Sequence, residues 1–158
     1  MRSAFVISGP AMPRRGIQTP QNYDIKTDVK YQPLEVVDAI GLAKAGKEKW
    51  WNQTLTRVNG CVVRLGVFEG EFFFHKHDRE DEYFHVMEGQ LLLDIADPPV
   101  AHKPGELPKV PREVAHRTVT LKPGQGFTVP RGVVHRTRAT TRTVVLMVEA
   151  ATVTPTGD

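Results

Sequence analysis

The strongest constraint on the fold is a change in the residue pattern at Thr54, after which short β-type runs are separated by glycine and proline. These runs include CVVRLGVF, QLLLDIA and TVVLMVEA, and no long helical periodicity appears after Trp51. Many short strands at near-regular spacing predict an all-β sandwich or barrel, and the lack of intervening helices disfavours βαβ units. We find no obvious internal repeat and therefore expect one barrel.

The chain before Thr54 has a different character. Residues 1–33 contain four prolines and no clear periodicity, which predicts a tail or an arm lying along the domain. The segment from Pro33 to Trp51 is the best helix candidate: Asp38 could cap it, although Gly41 and Gly46 weaken the prediction. We therefore expect an arm at 1–33, then a short N-terminal helix leading into a barrel domain that spans 34–158.

A proline-rich stretch interrupts the β pattern from Ala96 to His116 and contains five prolines. Because proline cannot donate a hydrogen bond to a sheet, this stretch should not form central strands. We interpret 96–116 as a long loop inserted into the barrel domain, and loops of this length are usually either functional or disordered.

Composition narrows the possible functions and locations. With 158 residues, 40% of them hydrophobic, the chain can bury the core of one domain without disulfides. The net charge of +3 comes from scattered basic residues, which is typical of a solvated surface rather than a nucleic-acid-binding one. The single cysteine, Cys61, cannot form an intrachain disulfide, and we expect it to be buried in a strand.

No apolar run approaches the roughly 20 residues needed to cross a bilayer, so we expect no membrane association. We expect a cytoplasmic protein. The first 23 residues contain Arg2, Arg14 and Arg15 but no acidic residue, so an alternative is a transit peptide for mitochondria or another organelle.

A dense group of imidazoles and carboxylates, HKHDREDEYFHVMEG, runs from His75 to Gly89. If His75 and His77 lie in a strand, their side chains share one face and their Cα atoms are about 6.6 Å apart, which allows both to bind one ion. A polar turn could then bring Glu82 back beside them. Taken alone, this pattern is more typical of a polar hairpin tip than of a metal site.

A second segment, GQGFTVPRGVVHRTRA, makes a metal site the better interpretation. Its glycines and proline mark turns, and His135 follows them on the next predicted strand, where it could be a third imidazole. The remaining histidines are weaker candidates. His85 should face away from Glu82, while His102 and His116 fall in or beside the 96–116 loop and should be solvated.

Together the two segments read G-x4-H-x-H-x4-E-x6-G and G-x5-P-x-G-x2-H. This pattern closely resembles the two signature motifs of the cupin superfamily, whose fold is a double-stranded β-helix or jelly-roll barrel. The resemblance assigns metal ligation to His75, His77, Glu82 and His135. It extends over 34–158, apart from the 96–116 loop, and is nearest to small single-domain cupins of the mannose-6-phosphate-isomerase-like type.

Three departures from the family pattern stand out. Glu69 occupies the position where the first motif usually opens with glycine, and Gly70 follows one residue late. Ala139 replaces the asparagine that usually ends the second motif, which puts hydrogen bonding around the ligands in doubt. The 96–116 loop is also longer than in most small cupins.

The resemblance implies one divalent transition metal, with iron or manganese favoured and nickel, cobalt or zinc possible. The leading hypothesis is a metal-dependent enzyme of isomerase, lyase or dioxygenase type that acts on a small organic molecule, in a cavity lined by residues such as Phe73, Phe84, Val86 and Val133. No separate general base is evident.

Two other functions stay open at this point. The protein could bind a metal and a small ligand without turnover, or it could be a structural subunit that docks through the N-terminal arm and the 96–116 loop. We also expect a homodimer, with the arm as a possible contact to a protein partner.

Overall fold

The computed structural model describes residues 24–99 and 114–157, which form one short helix and eight strands. The elements in chain order are β1 (Asp24–Lys26), α1 (Ala39–Ala45), β2 (Trp50–Val58), β3 (Cys61–Glu71), β4 (Glu82–Glu88), β5 (Leu91–Ala96), β6 (His116–Leu121), β7 (Gly126–Val129) and β8 (His135–Ala150). The prediction of an all-β architecture with a short N-terminal helix is confirmed.

Strand β8 is the centre of the sheet, which has the order β1-β2-β3-β8-β4-β7. Its first part pairs with β5, and its second part pairs with β3 on one side and β4 on the other. The sequence predicts two separate strands here, VVHRTRA and TVVLMVEA. They form one strand because β8 changes partners along its length, so both of its parts stay hydrogen-bonded.

Aromatic and aliphatic side chains from the inner faces of these strands form the main core. Trp50 stacks on Phe68 with ring centroids 4.6 Å apart, and Phe84 and Met147 are buried beside them. A second cluster lies under α1, where Trp51 and Leu55 pack with Ala43. Adjacent residues of β2 therefore contribute to two different cores, as alternation along a strand requires.

The helix is shorter than predicted. α1 begins after Asp38, whose carboxylate accepts a 2.8 Å hydrogen bond from the amide of Gly41. It ends at Ala45 because Gly46 adopts an extended conformation, and Trp50 already belongs to β2. The predicted cap at Asp38 is confirmed, but the predicted extent to Trp51 is wrong, because burial of the tryptophans in a strand outweighs helix propensity.

The prediction that Cys61 is buried is also wrong. The cysteine begins β3 directly after the turn at Asn59 and Gly60, where the chain reverses at the surface, and its side chain is exposed. The hydrophobic run that follows it does reach the core, with Val62 and Leu65 both buried.

The predicted arm and loop fall partly outside the described residues. Of residues 1–33, the structure describes 24–33, in which β1 pairs in parallel with β2. Of the 96–116 loop, residues 100–113 lie outside the described part. The domain boundaries at 33/34 and the role of the loop therefore stay predictions. No helix within the described ranges is long and apolar enough to cross a membrane.

Gly89 shows that one turn depends on glycine. It has a φ of +82° between β4 and β5, and a Cβ there would lie 2.8 Å from the carbonyl oxygen of Arg142. We expect Gly89→Ala to lower the free energy of unfolding by about 1–3 kcal/mol, as measured by urea denaturation. Gly60→Ala is the control, because no atom lies within 4 Å of its added Cβ. Equal stability of the two variants would contradict this account of the turn.

Candidate functional site

The four candidate ligands come from three parts of the fold. His75 and His77 lie between β3 and β4, Glu82 begins β4, and His135 begins β8. All four side chains are buried. One ligand atom from each can be chosen so that the four atoms all lie within 4.8 Å of one another. The structure thus brings together every residue that the two motifs single out.

The local structure around the first two histidines differs from the prediction. Residues 72–81 form no regular strand, and His75 makes only an isolated bridge, in which its backbone exchanges two 2.9 Å hydrogen bonds with His135. This bridge holds the two imidazoles together, with ring centroids 4.4 Å apart. His77 still turns toward His75, at 5.3 Å between ring centroids.

Backbone carbonyl groups orient two of the imidazoles. Nδ1 of His75 lies 3.1 Å from the carbonyl oxygen of Phe73, and Nδ1 of His135 lies 2.9 Å from that of Val133. A proton on each Nδ1 satisfies these carbonyl groups and would leave Nε2 free to bind an ion when a metal is present, the arrangement that hydrogen-bond partners impose on metal-binding histidines.

The carboxylate of Glu82 lies among the imidazoles. Its Oε2 atom is 3.2 Å from Nε2 of His135 and 3.4 Å from Nε2 of His77. Burial alone would raise the pKa of Glu82, but its hydrogen bonds with His135 and His77 outweigh burial and lower that pKa. Glu82 therefore supplies a negative charge to this buried cluster.

Burial has the opposite consequence for His75. It lowers the pKa of this imidazole well below the usual value, and the neighbouring His135 and His77 lower it further. His75 is consequently neutral at physiological pH, which is the form that binds a metal.

A narrow cavity of about 30 Å³ adjoins the cluster. One water molecule needs roughly 10–15 Å³ of such cavity volume, so about two water molecules would fit. His75 and Glu82 line the cavity together with Thr137 and Glu149, and its apolar wall comes from Trp50, Phe68, Phe72, Phe84 and Met147.

The predicted cavity lining is only partly right. Phe84 lines the cavity as expected, and Phe72 does so in place of Phe73, although the ring of Phe73 lies 5.7 Å from that of His75. Val86 is buried in the main core. Val133 borders a separate groove of about 290 Å³ between β5 and β7 that includes none of the four candidate ligands.

The sequence analysis did not identify three polar residues that lie near the cavity. Glu149 lines the cavity and forms a buried ion pair with Arg64, while Asn52 enters from β2. Burial, followed by the nearby charge of Glu82, raises the pKa of Glu149. Arg64 and Glu149 could have been identified from the sequence, because each is the one charged residue near the middle or end of an apolar strand, CVVRLGVF and TVVLMVEA. Each stands at a position that alternates with core residues.

The other histidines lie away from the cluster in the part of the chain that the structure describes. His85 points outward from β4, where it contacts the hydroxyl group of Tyr83 at 3.2 Å. His116 is exposed at the start of β6, 3.5 Å from Asp94. His102 lies outside the described residues.

Comparison with known proteins agrees with the fold. The uncharacterized protein YdbB of Bacillus subtilis (strain 168) is 40% identical over 80 residues, which cover 50% of this chain and 71% of that protein. A cupin-2 domain protein from Shewanella frigidimarina superposes with a TM-score of 0.58 at 24% identity, covering 73% of this chain and 94% of its own.

The hydroquinone 1,2-dioxygenase PnpCD, solved in complex with Cd²⁺ and 4-hydroxybenzonitrile, has the same fold. It superposes with a TM-score of 0.56 at 23% identity, over 77% of this chain and 75% of its own. At such identities the two structural likenesses concern the fold alone. The family model described as "Cupin" matches residues 52–157, which include both motifs and every strand from β3 to β8. The single-barrel prediction is confirmed, and the chain belongs to the cupin family.

Proposed function

We propose that this protein is a metal-dependent enzyme that acts on a small organic molecule, with one divalent transition metal held by His75, His77, Glu82 and His135. The observation that carries the proposal is the convergence of four buried ligand atoms within 4.8 Å, beside a cavity. A buried carboxylate among three imidazoles is costly unless it is paired, and a cation provides that pairing.

The donor set fits such an ion in both size and chemistry. Two ligand atoms of one first-row metal can be at most about 4.0–4.4 Å apart, twice the usual bond length, so ligand atoms within 4.8 Å of one another need only a small contraction to bind one ion. Three nitrogen donors and one oxygen donor suit iron or manganese, and nickel, cobalt and zinc are compatible. PnpCD, which has the same fold, was solved with Cd²⁺ and with Fe³⁺.

Four protein ligands leave one or two coordination positions for water or substrate. When bound, the ion would act as a Lewis acid or hold an oxygen-containing ligand, which is compatible with isomerase, lyase or dioxygenase chemistry. The buried aromatic wall of Trp50, Phe72 and Phe84 restricts bulk water in the cavity. His75 and Glu82 line the same cavity and would orient the ligand toward the ion. The narrow cavity favours a small ligand.

Elemental analysis of protein purified without chelator tests the proposal. We expect one transition-metal ion per chain, and we expect its removal by a chelator to lower the melting temperature. At a metal concentration 100 times the Kd, binding stabilises the folded state by about 2.7 kcal/mol. Absence of metal in the purified protein, with no thermal shift on addition of Fe²⁺, Mn²⁺, Ni²⁺, Co²⁺ or Zn²⁺, would contradict the proposal. A substrate screen with the loaded protein then separates an enzyme from a binding module.

A further inference from the structure

A second group of polar side chains lies on the inner face of the barrel next to the candidate metal ligands. We call Asn52, Thr54, Arg64 and Glu149 the inner polar wall. Strand register places Thr54 opposite Arg64 across β2 and β3, and Glu149 opposite Glu82 across β8 and β4. The inner polar wall is therefore continuous with the metal-ligand cluster.

Several polar atoms of this wall lack hydrogen-bond partners within the described residues. They are Asn52 Oδ1, Thr54 Oγ1 and Arg64 Nη1, and all three are shielded from solvent. Thr54 is 2% exposed and Arg64 is 4% exposed. A buried polar group without a hydrogen-bond partner destabilises the folded state. Native proteins seldom leave such groups unpaired, so a polar guest or ordered water is expected at this wall.

The cavity gives a guest access to two members of the wall. Asn52 and Glu149 line it alongside His75 and Glu82, so a molecule bound there contacts both the wall and the candidate metal ligands. Asn52 offers a carbonyl oxygen, which accepts a hydrogen bond from a hydroxyl group. Arg64, paired with Glu149, fixes the position of that carboxylate.

The charges of the site favour one net charge for the bound ligand. A divalent metal and Glu82 together leave one positive charge, because the imidazoles bind metal in their neutral form. The pair of Arg64 and Glu149 adds no net negative charge to the site. In a buried site an uncompensated charge is expensive, so one negative charge on the ligand is favoured.

We propose that the ligand of this cavity is a small monoanionic oxygen compound of the hydroxycarboxylate class, whose carboxylate reaches the metal and whose hydroxyl group donates a hydrogen bond to Asn52. This inference rests on the proposed function, since it requires the metal at His75, His77, Glu82 and His135. It goes further in naming the class of ligand and a residue that selects it.

Glycolate and acetate are suitable probes, because acetate is smaller and lacks only the hydroxyl group. Each is titrated into Co²⁺-loaded protein, and binding is followed by the visible absorption of the cobalt. We expect Asn52→Leu to reduce the ratio of glycolate affinity to acetate affinity about tenfold, the loss of one hydrogen bond in a buried site. Asn52→Asp retains an acceptor at this position and should preserve the ratio while weakening both anions.

The outcomes separate this inference from the one on which it rests. A wild-type protein that takes up no Co²⁺ overturns both. A loaded protein whose affinity ratio is the same in the wild type and in Asn52→Leu overturns only the role of Asn52 and the hydroxyl group. If Asn52→Leu does not fold, the Asn52→Asp protein decides the question. A lower ratio of glycolate to acetate affinity than in the wild type overturns the inference. An unchanged ratio with weaker binding of both anions supports it.

Discussion

Replacing His135 with alanine is expected to abolish metal binding. Its imidazole is 1% exposed and lies 3.2 Å from Glu82, so its loss removes one of the three buried imidazoles from the ligand set. We expect the metal affinity to fall by more than 100-fold, beyond the roughly 10–100-fold loss caused by removing a residue that only hydrogen-bonds to a metal ligand. Cobalt titration and elemental analysis measure this effect directly.

The matched control is His85→Ala, because His85 occupies the outward face of β4. It should bind metal as the wild type does. His75→Ala and Glu82→Gln provide independent tests if His135→Ala fails to fold. Retention of metal at wild-type affinity in folded His75→Ala and Glu82→Gln proteins would show that the cluster is not the metal site.

The second large effect is expected at Asp94, a fully buried carboxylate on the outer side of the barrel. Arg138 donates two hydrogen bonds to it, at 2.6 and 2.7 Å, and Arg136 and Thr118 each donate one at 2.7 Å. The three donors belong to β6 and β8, so Asp94 joins β5 to both neighbours. Asp94→Asn removes the carboxylate that Arg138 and Arg136 share, leaves Arg136 with its longer 3.7 Å contact to Glu71, and should lower the free energy of unfolding by about 3 kcal/mol.

The pH dependence of stability provides a second measurement of the same effect. Burial alone would raise the pKa of Asp94, but hydrogen bonds from Arg138, Arg136 and Thr118 outweigh it and lower that pKa. The unfolded chain therefore binds more protons, and the stability that Asp94 contributes is present above its ordinary pKa and lost as the pH falls below it. Asp94→Asn should flatten this acid-side slope.

Asp24→Asn is the control for both measurements, because Asp24 pairs with Lys26 at the surface and such pairs contribute about 0–1 kcal/mol. Urea denaturation at several pH values gives both quantities. An Asp94→Asn protein as stable as the Asp24→Asn protein would show that the arginine cluster contributes nothing to the barrel.

The Asp94 cluster also illustrates what sequence patterns miss. One acid in QLLLDIA and two arginines in HRTRA are visible in the sequence, but nothing in either segment predicts that they meet. Their contact follows from the register of β5 against β8, which pairs Asp94 with Arg136. Register between distant strands depends on the packing of the whole sheet, so local patterns do not specify it.

The candidate ligands were easier to predict, because their chemistry and spacing are both unusual. Two histidines separated by one residue, a glutamate five positions later and turn glycines around them restrict the possible geometry, and Gly89, Gly124 and Gly132 all have positive φ values. The four side chains converge although the assumption about local structure was wrong. His75 and His77 lie outside a regular strand, yet the bridge to His135 holds the cluster together.

Local periodicity, turn chemistry and ligand type were enough to predict the all-β class, the single barrel, the turn positions and the four residues most suited to bind a metal. The end of the helix, the continuity of β8 and the meeting of Asn52, Arg64 and Glu149 beside the cavity depend on the folded barrel. These features arise from contacts between residues far apart in the chain. Their stability depends on burial and pairing in the assembled barrel, which no short segment contains.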